Sequence, residues 1–308
     1  MFSSKILDPS LYQGIPKEFK DIRNKQFKEW EIPPWDLLIH DDKIIGEGIY
    51  GRVFLASWKK TTVVAKVIYD TKTSEFHKRE LNAMMMLHHP NICQFFGYVE
   101  TPFILVMEYL PKKDLLYYIN EKRISLNKKI KITIDILKGL AYLHNRRPSY
   151  IIHRDIKPQN IILSESGKAK ISDFGLSKIL NSTILDTKSS VENLNELNLN
   201  YELMESNNQI ADLTLPVGTR RYMSPEINLE QLYNSKIDIW SVGVIISELF
   251  ENRRYSNEFV WIKTPKNIQY IIVQHMLRDD QKDRLTALEL INLFEQELAK
   301  GKRRCLLF

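Results

Sequence analysis

Up to about residue 110 the chain alternates short apolar runs with turn formers. "KIIGEG" and "RVFLAS" flank a glycine turn, "TTVVAKVIY" follows a second turn, and "ICQFFGYV" and "FILVMEYL" come after one helical stretch, "SEFHKRELNAMMMLHH". Runs of this length, rich in β-branched and aromatic residues, predict strands. From about Asp114 onward apolar positions recur at three and four residues, in "LNKKIKITIDILKGLAYLHN", "KIDIWSVGVIISELF" and "LTALELINLFEQELAK", which predicts helices. A β-rich first third and an α-rich remainder predict an α+β protein with a small β-rich N-lobe, a larger α-helical C-lobe and a cleft between them.

Two stretches break the pattern. Residues 1–35 are mixed, with Pro16, Pro33 and Pro34, and read as an extension leading into the domain. From Ser177 to about Pro216 the chain is polar, rich in Asn, Ser, Glu and Leu, and lacks sustained periodicity. A connection that long inside a compact domain is usually functional or disordered, and a mobile insertion is expected.

Composition narrows the classes further. The chain has 308 residues and a formal net charge of +6, which weakly favours an acidic ligand or surface. With no RNA-binding signature or helix-turn-helix pattern, no nucleic-acid partner is expected. The two cysteines, Cys93 and Cys305, lie in different contexts and argue for a reducing compartment. No apolar run approaches the roughly 20 residues of a membrane span. The start, "MFSSKILDPS", lacks a secretory core and has Phe2 where myristoylation needs glycine. An intracellular, cytoplasmic protein is predicted.

Candidate chemistry sits in "HRDIKPQNIILSESGKAKISDFG", His153 to Gly175. Arg154, Asp155 and Lys157 follow the apolar run Tyr150-Ile151-Ile152, and Asp173 comes straight after the strand-like Lys170-Ile171-Ser172. Charges at strand ends point to a site rather than to packing. Upstream, Gly46, Gly48, Gly51 and Val53 spell G-x-G-x-x-G-x-V. Such glycines let a backbone approach phosphates and aim amides at them. Dinucleotide-binding turns share that spelling, but here Gly51 leads into a strand instead of opening a helix. Lys66 lies inside a β-branched strand, where a lysine ordinarily snorkels from an edge. Glu80 changes this reading, because a 3.6-residue period sets it on an apolar stripe with Phe76, Ala83, Met84 and Leu87. A buried carboxylate is costly without a partner, and Lys66 is the expected one.

In this order the glycine turn, "VAKV", "HRDIKPQN" and "DFG" closely resemble the eukaryotic-type Ser/Thr protein kinases, and the general flavour is similar to their tyrosine-kinase-like group. The resemblance runs from about Lys43 to Phe294. It implies the bilobal protein-kinase fold over 36–298, with an N-lobe of about 36–110, a C-lobe of about 111–298 and a long activation segment, 173–226. It also implies transfer of the ATP γ-phosphate to Ser or Thr of protein substrates, with Mg²⁺ or Mn²⁺. On that implication Asp155 accepts or orients the proton of the attacking hydroxyl, and Asn160 and Asp173 hold the metal ion. Lys66 contacts the α- and β-phosphates with Glu80 fixing it, and Lys157 steadies the γ-phosphate.

The nucleotide would be lined by Ile45, Gly46, Gly48, Gly51, Val53, Ala65 and Met107, with Val53 and Ala65 covering the adenine ring. The hinge Glu108, Tyr109 and Leu110 would hydrogen-bond adenine, and Asp114 would reach the ribose. Glu226 of "GTRRYMSPE" would pair with Arg284, while Asp238 and Trp240 belong to a helix anchoring the catalytic loop. Arg154 and Thr219 are regulatory candidates, and Arg154 can pair with a loop phosphate. The possible acceptors are Ser177, Thr187, Ser189, Ser190 and Thr214. Thr219, with Lys157, favours Ser/Thr over Tyr as the acceptor. The activation segment is longer than the family norm. The stretch between "SELF" and "NIQYIIVQHML" is short, so a helix that often docks substrates is expected to be reduced.

The chain ends "KGKRRCLLF". Cys305 to Phe308 match C-a-a-X, and a terminal Phe points to geranylgeranylation of Cys305. Gly301 is expected to end the preceding helix within this 299–308 tail. Lys300, Lys302, Arg303 and Arg304 would add to the lipid's hold on an anionic membrane surface at the cytoplasmic face. Two rivals to an active protein kinase stay open: a nucleotide-binding pseudokinase scaffold or autoinhibited kinase, and a kinase for a small molecule or lipid. A dinucleotide oxidoreductase fits only the three glycines and is excluded.

Overall fold

A computed structural model describes residues 28–48, 51–69, 74–121, 124–181, 218–254 and 259–305. They fall into two compact units. One holds the described residues up to His89 together with Cys93–Leu110; the other holds Pro90–Ile92 and those from Pro111 onward.

The first unit is built on an antiparallel sheet of β1 (Leu37–Gly48), β2 (Gly51–Trp58), β3 (Thr61–Ile68), β4 (Phe95–Val99) and β5 (Ile104–Glu108), in the order β1-β2-β3-β5-β4. Helix α1 (Ser74–Met85) connects β3 to β4. Because side chains alternate along a strand, Val63, Ala65 and Val67 share one face of β3. All three are buried, in a core with Ala56, Ile104, Val106, Ile32, Leu37 and Ile39. The opposite face carries Val64 and Lys66, paired with Leu55 and Val53 on β2 and with Met107 and Leu105 on β5.

The second unit contains α2 (Leu115–Glu121), α3 (Leu126–His144), β6 (Ser149–Ile152), β7 (Ile161–Leu163), β8 (Ala169–Ile171) and β9 (Lys178–Asn181). It continues with α4 (Pro225–Asn228), α5 (Lys236–Glu251), α6 (Lys266–His275) and α7 (Ala287–Cys305). Ser125 caps α3 by accepting the Lys128 N–H, which satisfies one amide that the helix cannot. Helix α5 is buried on nearly every side, as its predominantly apolar stretch "IDIWSVGVIISELF" requires. β6 pairs antiparallel with β9 at the two ends of the segment 153–177, and within that segment β7 pairs antiparallel with β8.

Three expectations are corrected. The aperiodic segment expected from Ser177 begins with a strand: Lys178–Asn181 pairs with β6, and Leu180 packs with Ile152, Ile227, Tyr233 and Ile237. Four residues are too few for a period to show, and tertiary burial decides their conformation. Gly301 does not end the last helix, which continues to Cys305. A helical glycine costs only about 1 kcal/mol against alanine, and the lysines and arginines around it are good helix formers. Ser177, a candidate phosphate acceptor, is buried, and its hydroxyl donates to the Phe174 carbonyl at 2.7 Å. Thr187, Ser189, Ser190 and Thr214, most of the 1–35 extension and residues 306–308 of the C-a-a-X motif lie outside the described residues. Among the described residues no helix lies between α5 and α6, and no helix is long and apolar enough to cross a membrane.

Candidate active site

In the sheet unit, the β1–β2 hairpin carries the glycine pattern. Gly48 pairs with Gly51 beside its tip, and Gly46 pairs with Val53. The two outer glycines have different physical reasons. A Cβ on Gly51 would collide with the backbone carbonyl of Val67, so the approach of β2 to β3 requires glycine there. A Cβ on Gly46 would meet only the Val53 Cβ at 3.9 Å, so packing does not demand glycine at 46. Ile45 is exposed.

Lys66 Nζ donates to Glu80 Oε1 at 2.7 Å. Glu80 is 2% exposed, and Ala83, Met84 and Leu87 beyond it are buried. The apolar stripe thus carries its carboxylate against the strand lysine. Val53 and Met107 share the lysine's face of the sheet and are half-buried. Ala65 does not. It is fully buried and points into the opposite core. The residue that shares the Lys66 face is Val64, two positions earlier, and the alternation of "VVAK" carried that signal. At the end of β5, the Glu108 N–H donates to the Gln94 carbonyl at 2.8 Å, and the Glu108 carboxylate accepts from Gln94 N at 3.2 Å. Leu110 is buried.

In the helical unit, the apolar strand β6 delivers the segment starting at His153 into the interior. Asp155 is 7% exposed, and both of its carboxylate oxygens are engaged. Oδ1 accepts from the Thr219 N–H at 3.0 Å and the Thr219 hydroxyl at 2.8 Å. Oδ2 accepts from Lys157 Nζ at 2.6 Å and Asn160 Nδ2 at 3.2 Å. The Asn160 amide nitrogen also donates to the Asp155 carbonyl at 2.9 Å, leaving its amide oxygen as the group available to a cation. Ser172 donates to the Asn160 carbonyl from N and from Oγ, at 2.9 and 3.1 Å. Asp173, exposed with φ 62°, follows directly. Thus Asp155, Lys157, Asn160 and Thr219 form one hydrogen-bonded group, and Asp173 is tied to it through its neighbour. Thr219, expected only as a regulatory and acceptor-type residue, is a direct partner of Asp155.

Asp114 caps α2, its Oδ1 accepting the Tyr117 N–H at 3.0 Å. Arg154, at φ 67°, donates to the Leu176 carbonyl at 2.6 Å and to the Tyr233 hydroxyl at 3.1 Å.

The segment around Asp155 is held from α5. Asp238, 1% exposed, accepts the backbone N–H groups of His153 and Arg154 at 2.9 and 3.0 Å and contacts His144 Nε2 at 2.8 Å. Burial alone would raise the Asp238 carboxyl, but the His144 hydrogen bond and nearby imidazoles outweigh it and hold it below the usual carboxylate range. The His153 ring packs 4.9 Å from Phe174, which is 1% exposed, so both sides of the group rest on buried residues.

Comparison with known proteins agrees with these features. Residues 39–293 match the family model described as protein kinase domain. Serine/threonine-protein kinase VIK of Arabidopsis thaliana is 32% identical over 233 residues, 72% of this chain and 48% of that protein. Serine/threonine-protein kinase CTR1 of the same plant is 30% identical over 254 residues, 78% of this chain and 27% of that protein. Serine/threonine-protein kinase Nek5 of Mus musculus is 36% identical over 218 residues, 68% of this chain and 30% of that protein. The chain spans about half or less of the length of these relatives.

Proposed function

The chain belongs to the protein kinase domain family, and on that premise we propose that it transfers the γ-phosphate of ATP to Ser and Thr hydroxyls of proteins. The observation that carries this is Asp155. It is a nearly buried carboxylate whose orientation is fixed by Lys157, Asn160 and Thr219. An acceptor hydroxyl placed against it would be turned so that its oxygen attacks the γ-phosphorus while its proton passes toward the carboxylate. The bond from that phosphorus to the bridging oxygen breaks, and ADP carries away the electron pair. Lys157 offers positive charge where the transferring group gains negative charge. Lys66, fixed by Glu80, would bind the α- and β-phosphates, beside the half-buried Val53, Val64 and Met107, which suit an adenine ring.

The residues present fit a divalent cation. The Asn160 amide oxygen and the Asp173 carboxylate are hard oxygen donors, and Mg²⁺ (or Mn²⁺) at a phosphate site needs only one or two protein ligands. Such a cation supplies neutralisation of phosphate charge. No cluster of three or more acidic, His or Cys ligands occurs among the described residues, so binding of the ion would depend on the nucleotide.

The domain assignment, 36–298 with a boundary near 110, belongs to the same proposal. So does prenylation of Cys305, which with the adjacent basic run would hold a cytoplasmic protein at an anionic membrane face. A membrane fraction unchanged by Cys305→Ser in eukaryotic cells would remove that part alone. The transfer itself is tested with ATP and Mg²⁺, wild type beside Asp173→Asn, using a generic basic protein and mass spectrometry of the products. Phosphoserine or phosphothreonine that disappears in the variant is expected. ATP binding without transfer would instead indicate an autoinhibited kinase or a scaffold.

A further inference from the structure

Resting on the transfer reading, we propose that Arg220 selects acceptor segments bearing acidic side chains within about two residues of the Ser or Thr. Thr219 is bound to Asp155 Oδ1 through both its N–H and its hydroxyl. Any chain that offers a hydroxyl to Asp155 therefore passes close to the residue that follows. An extended peptide advances about 3.3 Å per residue, so an arginine at 220 is within reach of side chains one or two positions from the acceptor.

The local fold turns that arginine outward. Residues Arg220–Tyr222 form a single 3-10 turn, in which three side chains point in three directions. Tyr222 takes the inward one. It is 2% exposed and donates its hydroxyl to Glu248 Oε2 at 3.0 Å. Arg220 and Arg221 are left exposed. Arg221 Nη1 lies 3.8 Å from Glu248 Oε1, and Arg254 hydrogen-bonds the Tyr222 hydroxyl. The Arg220 guanidinium has no hydrogen bond or ion pair among the described residues.

Charge around the turn does not cancel. Among the described residues of this turn and its hydrogen-bond partners, the arginines 220, 221 and 254 outnumber the acid Glu248, which is buried. The other acid of the segment, Glu226, gives both oxygens to Arg284. Along the chain after Asp155, the residue between Pro158 and Asn160 is the neutral Gln159. Among the described residues, the turn that follows Thr219 thus carries two exposed arginines and no exposed acid, and it is held in place by Tyr222. Carboxylates on the peptide satisfy it, and lysines or arginines there are repelled.

The test uses the full chain and peptides that share one Thr acceptor, with the two residues on each side made Glu, Ala or Lys. The expected kcat/KM for the Glu peptide exceeds that of the Lys peptide about tenfold or more at low salt, and the ratio shrinks as salt screens it. Arg220→Glu should invert the order, with a thermal melt showing that the variant folds. A wild-type ratio within about twofold, or an order unchanged in a folded Arg220→Glu, overturns the inference. Anisotropy titration of the same peptides with Ala at the acceptor reads the preference without transfer. Tighter binding of the Glu peptide with no phosphorylation of any peptide would sink the transfer reading while keeping the selectivity. Equal binding together with active transfer would do the reverse.

Discussion

Arg284 and Glu226, 58 residues apart in the chain, form a two-point ion pair inside the helical unit, Nη1 to Oε1 at 2.6 Å and Nη2 to Oε2 at 2.8 Å. The guanidinium is 1% exposed, and its remaining donors reach the carbonyls of Arg278, Lys236 and Asp279 while its face lies 5.1 Å from the Trp240 ring. Removing one partner strands the other charge in the interior, which costs about 3–5 kcal/mol. Arg284→Met is expected to lower the unfolding free energy by that amount in urea. The double variant Glu226→Leu with Arg284→Met should recover part of it, because no charge is then left alone. Simple additivity of the two single losses would show that the pair is not coupled.

The two outer glycines of the β1–β2 hairpin should part company under mutation. Gly51→Ala forces a methyl group onto the Val67 carbonyl, so it is expected to cost about 1–3 kcal/mol of stability and to weaken nucleotide binding with it. Gly46→Ala meets only ordinary contact and should leave the melting transition nearly in place while raising the apparent Kd for ATP severalfold. Equal stability losses in the two variants would contradict the distinction.

The same contrast shows what the sequence made legible. The sheet strands of the first unit followed from short runs rich in β-branched and aromatic residues, long helices from period, and the Lys66–Glu80 pair from one carboxylate on an apolar stripe, since physics leaves a buried charge few alternatives. Residue type in the family's motif points to Ala65 for the adenine-covering position, whereas strand alternation sets Val64 on the Lys66 face. The strand at Lys178–Asn181 was hidden because its partner, β6, lies some 30 residues upstream, and no local pattern encodes that pairing. The hydrogen bonds of Thr219 to Asp155 span 64 residues and are equally non-local.

Lys129 supplies a pH signature. It is 6% exposed on α3 and donates to the Phe250 carbonyl at 3.2 Å and to Asn252 Oδ1 at 2.7 Å. Burial, then repulsion from Lys263, outweigh attraction to Glu251 and lower its ammonium from the ordinary 10.5 to about 8. Below about pH 8 both states are protonated, and the native state bears the full cost of the buried charge. Between about 8 and 10.5 the unfolded chain holds more of this proton, so the residue's contribution to stability rises with pH. Measured against Lys129→Met, which cannot titrate, wild type should gain about 1–3 kcal/mol across that window. A flat difference between the two unfolding curves would refute the shift.

Lys66 and Glu80 allow binding, chemistry and stability to be separated. With Nζ 2.7 Å from a carboxylate that is 2% exposed, Lys66→Met removes both the proposed phosphate contact and the partner of a buried charge. Transfer should fall about a hundredfold or more, and stability should fall by about 1–3 kcal/mol because Glu80 is left unsatisfied. Glu80→Gln removes the stranded charge, so it should restore part of the stability to the Lys66→Met background. It cannot restore transfer, because the ammonium is still missing. Denaturation and single-turnover transfer on the two single variants and the double variant read these outcomes separately. If transfer returned together with stability, Lys66 would be a packing residue and phosphate binding would have to be assigned elsewhere.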